Sequence, residues 1–205
     1  RLLKDRIVFI GSGIDDQLMP ALDTLARDAN CQPSDLSLVG VSTGPGGFTG
    51  LRIAVATAQM LAEATGCALV DVPTAMVCAK AAGLDAGTIA VTLASKGTST
   101  WCTLVDAATM QIKGTPGLIE ASHVPELLKD AVLLLGDEHL PGPITHAAEA
   151  LGLDIWTPEW CPRACLELAE AECAAGRRAL PEDLLPTYPR APEAVALFDA
   201  RQKRS

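Results

Sequence analysis

The sequence predicts an α/β protein, and three observations carry that prediction. Strand-like and helix-like runs alternate along the chain, which implies helices layered on sheets. Hydrophobic residues make up 49% and charged residues 20% of the 205 residues, the balance of a chain with packed cores. No internal repeat and no low-complexity linker interrupts the alternation. The length suffices for one large domain or two compact subdomains, with 83–88 (Gly83-Leu84-Asp85-Ala86-Gly87-Thr88) as the candidate boundary.

Taken in order, the first strand-like run is 6–10, Arg6-Ile7-Val8-Phe9-Ile10, leading into a Gly-Ser-Gly turn. Since the chain starts at Arg1 with this run close behind, it reads as a protein joined partway through its first sheet, an N-terminal strand missing. A helix is expected over about 17–29, where Leu18, Leu22, Leu25 and Ala29 form an apolar stripe and Asp23, Arg27 and Asp28 turn away. Pro20 fits only if the regular helix begins within a turn of it. A strand at 36–42, a glycine-rich loop and a helix over 51–65 follow.

That second helix has only a narrow polar stripe of Arg52, Gln59 and Glu63. A helix apolar over most of its circumference is buried on more than one side. One side faces its own sheet, and the other requires a second helix, from this chain or from a partner. Ala54, Ala58 and Ala62, at i, i+4 and i+8, are small enough to let that neighbour approach closely. Further strands are expected at 67–72, 87–94, 100–105 and 132–135, and helices at about 123–130, 144–151 and 162–175. The tail from Pro181 to Pro192 holds four prolines, so it is mostly extended and is expected to pack back across earlier structure.

Between strand and helix lies Thr43-Gly44-Pro45-Gly46-Gly47-Phe48-Thr49-Gly50. A glycine loop at a helix N-terminus is a candidate anion cradle, with Arg52 in the first helical turn to add charge. It is not a P-loop, because Gly50 is followed by Leu51-Arg52 and not by Lys-Ser/Thr. A dinucleotide fingerprint matches only weakly: Gly44-x-Gly46 follows a strand and Asp71 ends the next one, but Thr49 holds the third glycine position. The plainer reading is a rigid turn that lets helix pack on strand, with Thr49 or Gly50 as the cap.

The formal net charge of −9 argues against this surface as the main grip on a nucleic acid, which needs clustered Lys and Arg. Aromatic residues at 3% leave little for base stacking. Seven scattered cysteines do not make a secreted disulfide framework, and the close pair Cys161 and Cys165 lacks a second pair for zinc. Buried free thiols are expected, with the Cys161/Cys165 pair packing at a helix start, although Arg163 between them is placed to lower a thiol pKa. The apolar stretch 131–135 is far too short to cross a bilayer and no secretory signal is found, so a cytoplasmic location is expected. His123, His139 and His146 offer no i, i+4 metal pair, and the last two, flanking a Pro-Gly-Pro turn, are expected to face solvent. Asp15 and Asp16 read as helix-capping acids, and Gly97-Thr98-Ser99-Thr100 carries hydroxyls without a base to activate them. No catalytic residue and no metal ligand is assigned.

The stretch Ser42-Thr43-Gly44-Pro45-Gly46-Gly47-Phe48-Thr49-Gly50-Leu51-Arg52-Ile53 resembles the G-P-G-S-F-T-G-L-R-I-G signature of the TsaB (YeaZ) family of Gcp-like proteins, with Gly47 for Ser and Ala54 for the last Gly. Asp16-Gln17-Leu18-Met19-Pro20-Ala21-Leu22 is similar to the family's H-S-E-x-L-L-P-x-L segment, an acid replacing the His. Val72-Pro73-Thr74 falls where the family reads V-S-T, and Pro186-Thr187-Tyr188-Pro189-Arg190 resembles its P-x-Y-L-R close. The family's I-D-A-R hairpin stands here as Leu93-Ala94-Ser95-Lys96, without its carboxylate.

The resemblance implies an actin-like ATPase-domain (ASKHA, ribonuclease H-like) fold in two subdomains: 1–85 with about 178–205, carrying partner-binding helices, and a smaller α/β unit at 86–177. It implies a non-catalytic subunit of the machinery that makes N6-threonylcarbamoyladenosine on tRNA. Such a subunit binds its catalytic paralogue TsaD, which uses a H-x-x-x-H metal motif, through a helical bundle. The pair recruits the ATPase TsaE, touches tRNA only indirectly, and the subunit forms a homodimer when alone. It has no cofactor of its own, with ATP belonging to the assembled complex. The implied partner-binding residues are Leu18, Leu22, Leu25, Arg52, Val55, Ala58, Gln59 and Ala62. Two other readings stay open: a nucleotide-binding enzyme using the loop Gly44, Pro45, Gly46, Gly47, Phe48, Thr49 and Gly50, and a self-associating structural homodimer.

Overall fold

The computed structural model describes residues 17–190. The strand expected at 6–10, the acids Asp15 and Asp16, and the 191–205 part of the first subdomain lie outside the described residues. Helix α1 (Leu18–Asp28) begins two residues before Pro20, as that proline requires. Strand β1 (Leu38–Ser42), helix α2 (Phe48–Thr65), strand β2 (Ala68–Val72) and helix α3 (Thr74–Ala81) follow. Then come β3 (Thr88–Lys96), β4 (Ser99–Asp106), β5 (Gln111–Ile119), the one-turn helix α4 (Val124–Leu127), β6 (Ala131–Leu135), α5 (Gly142–Ala150), β7 (Asp154–Trp156) and α6 (Pro162–Ala174).

Two sheets result. β1 and β2 pair in parallel, while the larger sheet runs β5-β4-β3-β6-β7, antiparallel from β5 to β3 and parallel from β3 to β7. β3 is central and its first six residues, Thr88-Ile89-Ala90-Val91-Thr92-Leu93, are all buried, as expected of a strand covered on both faces. The side-chain period of two divides the core. Ile89, Val91, Leu93, Leu133 and Leu135 meet Ala75, Cys78 and Ala79 of α3, and Ala90 and Leu134 meet Val124, Leu128, Ile144 and Ala148 on the other face.

The small sheet is a sandwich. Val41 and Leu69 face Val55, Ala58 and Ala62 of α2, whereas Val70 and Val72 face Ala164 and Ala169 of α6. α6 packs on β1 and β2 and so supplies the second cover that a parallel pair requires. Gly40 makes the close approach possible: a Cβ there would lie 2.5 Å from Ala169 Cβ.

Several elements escaped the periodicity. α3 has buried residues on most of its surface and so shows no polar stripe. β5 contains Gly114, Pro116 and Gly117, which a central strand would reject, but it is an edge strand and mostly exposed. β7 has only three residues. The helix expected at 123–130 is a 3-10 turn (Ala121–His123) plus the single turn of α4. α2 starts at Phe48 with Gly47 as N-cap, so Thr49 and Gly50 sit inside the first turn and cap nothing.

Gly40→Ala is expected to lower stability by about 1–3 kcal/mol through overpacking against α6. Gly142→Ala, at an exposed helix start with nothing within 4 Å of the added carbon, should stay within about 0.5 kcal/mol of wild type. Urea unfolding midpoints of the two variants check the contrast.

Candidate functional site

The glycine loop meets the C-terminal tail, and the tail ties a third segment to them. The first is the loop itself. Gly44 sits at φ 107°, a region open to glycine, and a Cβ there would come within 2.9 Å of both Leu51 Cδ1 and the Thr187 carbonyl oxygen. Thr74, at the start of α3, takes both polar groups of Gly44. The Gly44 N–H donates to Thr74 Oγ1 at 3.0 Å, and the Thr74 N–H donates to the Gly44 carbonyl at 3.0 Å. Ser42 and Thr74 share a hydroxyl–hydroxyl bond of 2.7 Å beneath the loop.

The second segment is the proline-containing tail, which does pack back across earlier structure. The Ala179 N–H donates to the Leu69 carbonyl, and the Thr187 N–H donates to the Thr43 carbonyl. Leu184 is buried against α2, and Gln59 Nε2 donates to the carbonyls of Pro181 and Leu184. The Tyr188 ring lies 5.0 Å from that of Phe48, and the Arg52 guanidinium stacks on the same Phe48 at 5.3 Å.

The third is the β3–β4 hairpin. Its Leu93-Ala94-Ser95-Lys96 bulge places Ala94 at φ 53°, unusual for a residue with a Cβ. Arg190 donates to the Ala94 carbonyl from one guanidinium nitrogen and to Ser99 O and Oγ from the other. Arg190 thus ties the tail of the first subdomain to the second. The hydroxyls of Ser95 and Thr100 are spent inside the hairpin.

These contacts redistribute the predicted site residues. Val55, Ala58 and Ala62 are 4%, 3% and 5% exposed and pack on the protein's own sheet, so they cannot form a partner face as this chain is folded. Gln59 is occupied by the tail. Arg52 is exposed but stacks on Phe48 and is not aimed into the loop. The cavity beside the loop, about 580 Å³, is lined by Gly46, Gly47, Gly50, Thr74, Trp160 and Cys165 among others, and no charged side chain lines it. The anion-cradle expectation therefore loses its cation.

What α2 does expose is the opposite arc: Phe48, Ala56 and the 63%-exposed Met60, with Ile53 and Thr57 half-buried. Leu18, Leu22 and Leu25 of α1 are likewise half-buried, and only Ala21 of that helix is buried. Met60 carries no polar signal of its own, and the exposed side it belongs to is marked only by its neighbours Arg52 and Glu63. Trp160 and Arg190 required the tertiary fold.

Among the described residues no group of three or more His, Cys, Asp or Glu could hold a metal, and no helix is long and apolar enough to cross a membrane. His139 and His146 are exposed, as expected. All seven cysteines are free. Burial pushes the Cys78 and Cys102 thiols up to about 12 and Cys165 up to about 11, so Arg163 does not activate Cys165. Cys161 and Cys165 pack at the start of α6, as expected.

Comparison with known proteins agrees with this geometry. Residues 15–128 match the family model described as TsaD: tRNA N6-adenosine threonylcarbamoyltransferase. The tRNA threonylcarbamoyladenosine biosynthesis protein TsaB of Bacillus subtilis (strain 168) is 36% identical over 61 residues, which is 30% of this chain and 27% of that protein's length. YeaZ from Pseudomonas aeruginosa superposes with a TM-score of 0.67 at 20% identity, covering 84% of this chain and 83% of that one. A crystal structure of a protein with similarity to peptidase YeaZ, from the same organism, gives 0.67 at 20%, covering 85% and 83%. At that identity the likeness establishes the fold, and it bears out the actin-like expectation.

Two outcomes follow from the site. Thr74→Val leaves the buried Gly44 N–H without a partner and should cost about 1–3 kcal/mol in thermal or urea unfolding. With Ellman's reagent at pH 8, far below their pKa values, Cys78, Cys102 and Cys165 should stay unreacted in the native protein and all seven thiols should react once it is unfolded.

Proposed function

This chain belongs to the TsaB/YeaZ family of Gcp-like proteins, and from that premise we propose that it is a non-catalytic partner subunit in the synthesis of N6-threonylcarbamoyladenosine on tRNA. The observation that carries this reading is the exposed arc of α2, on which Ile53, Ala56, Thr57 and Met60 form an apolar strip beside the exposed charges Arg52 and Glu63. An arc of this kind on a long helix is suited to docking another helix. Leu18, Leu22 and Leu25 of α1 supply a second half-buried apolar stripe. The occupant we propose is a TsaD-type catalytic subunit, with a TsaE-type ATPase recruited to the pair and tRNA contacted through the partner. A homodimer of the chain alone would use the same arc and give way to the heterodimer.

Support for a non-catalytic role comes from the chemistry. The cavity at the glycine loop has no charged lining, Gly44 gives both its polar groups to Thr74, and the three histidines lack the H-x-x-x-H spacing. On this reading ATP belongs to the assembled complex, and the chain works in the cytoplasm, where tRNA is modified.

Size-exclusion chromatography with light scattering, with and without the organism's own TsaD, tests the proposal. A one-to-one heterodimer should form with wild type and weaken at least about tenfold with Met60→Arg, whose own unfolding temperature stays unchanged. Ala58→Arg should instead fail to fold, because that position is core. Undiminished binding by Met60→Arg, or no complex even with ATP and TsaE added, overturns the reading.

A further inference from the structure

The stretch 185–190 is fastened at both ends and exposed between them. At one end Leu184, 3% exposed, is buried among Val55, Ala58 and Ala62 of α2, and Gln59 Nε2 donates to its carbonyl. At the other, one Arg190 nitrogen donates to the Ala94 carbonyl and the second to Ser99 O at 3.0 Å and Ser99 Oγ at 2.9 Å. Between these ends Leu185 is 71% exposed, Thr187 gives its N–H to the Thr43 carbonyl, and Tyr188 lies against Phe48. Pro186 and Pro189 restrict the backbone on either side of Thr187 and Tyr188, so the stretch moves as one piece.

What Arg190 grips is strained. Ala94 has φ 53°, in the left-handed region that a Cβ disfavours, within the bulge that breaks the β3–β4 register. Such a conformation persists only where its surroundings hold it, and the bond from Arg190 to the Ala94 carbonyl is one such hold. If Arg190 lets go, Ala94 loses that hold and can return to an ordinary φ. If Ala94 relaxes, its carbonyl turns away from the guanidinium. Each half of the contact therefore stabilises the other.

We propose that residues 185–190 are a strap, hinged at Leu184 and latched by Arg190, whose closure and the strained form of the β3–β4 hairpin are one two-state equilibrium. In the open state Tyr188 leaves Phe48 and the Thr187 N–H leaves the Thr43 carbonyl, while Leu184 stays buried. Phe48 stands at the start of α2 with the Arg52 guanidinium stacked on it, so the strap transmits the state of the hairpin to that end of the helix. Its bearing on partner binding rests on α2 being the docking helix; the strap itself does not.

Amide hydrogen exchange of the whole chain, followed by nuclear magnetic resonance, tests the strap. Tyr188 is the one tyrosine of the sequence, so its ring gives a single assignable signal. In Arg190→Ala the Thr187 amide should exchange at least about tenfold faster and the Tyr188 ring signal should move. The Val91 amide, in the buried centre of β3, should keep its wild-type rate. Arg190→Lys should lose most of the protection too, because one ammonium does not reproduce the guanidinium fork. Ala94→Gly, which accepts the positive φ readily, should slow Thr187 exchange about threefold by favouring the closed state. The proposal is overturned if Arg190→Ala leaves Thr187 exchange unchanged, or raises it only in step with Val91, which marks general destabilisation. It is equally overturned if Ala94→Gly leaves Thr187 exchange unchanged or speeds it. No TsaD-type partner takes part in these measurements, so failure of the docking reading would not alter their outcome.

Discussion

The arrangement around the glycine loop depends on Thr74 holding Gly44. One residue at the head of α3 satisfies both backbone polar groups of another at the end of β1, in a place where neither is open to water. With Gly44 fixed at positive φ, the chain turns sharply enough for α2 to start at Gly47 and lie back over β1 and β2. The same turn leaves room for the Thr187 carbonyl, which any side chain at Gly44 would displace. The tail can then close over the loop and reach the β3–β4 hairpin through Arg190. Loop, helix, tail and hairpin are therefore coupled through a few hydrogen bonds, in which loss of one partner strands another in a buried setting.

That coupling decides which side of α2 is available. The small residues at 54, 58 and 62 give a close approach, but the thing that approaches is the protein's own two-stranded sheet. Gln59, the polar residue most easily taken for a partner contact, anchors the tail. What remains is an outward arc on which alanine, threonine, isoleucine and methionine stand beside Arg52 and Glu63. It is opposite to the face that small-residue spacing suggested, which is why the proposed contact is centred on Met60 and not on Ala58.

The net charge of −9 argues against this surface as the main grip on a nucleic acid. Near the end of α6, Glu172 and Arg177 form an ion pair. Exposed ion pairs of this kind add little to stability.

Much was legible in the chain alone. Alternation of apolar runs gave the α/β class. The spacing around Pro20 and the glycine cluster after 36–42 placed α1 and the start of α2. Residue patterns at 42–53, 72–74 and 186–190 pointed to a family, and the structure brings those three patterns together at one place. Local sequence reports local geometry, because periodicity, proline and glycine act over a few residues. It does not report what lies across a helix. Whether Ala58 met a partner or a sheet, and which sheet α6 covered, were settled by contacts between segments tens of residues apart. Those contacts depend on which surfaces the assembled chain leaves uncovered, and only the tertiary structure decided that.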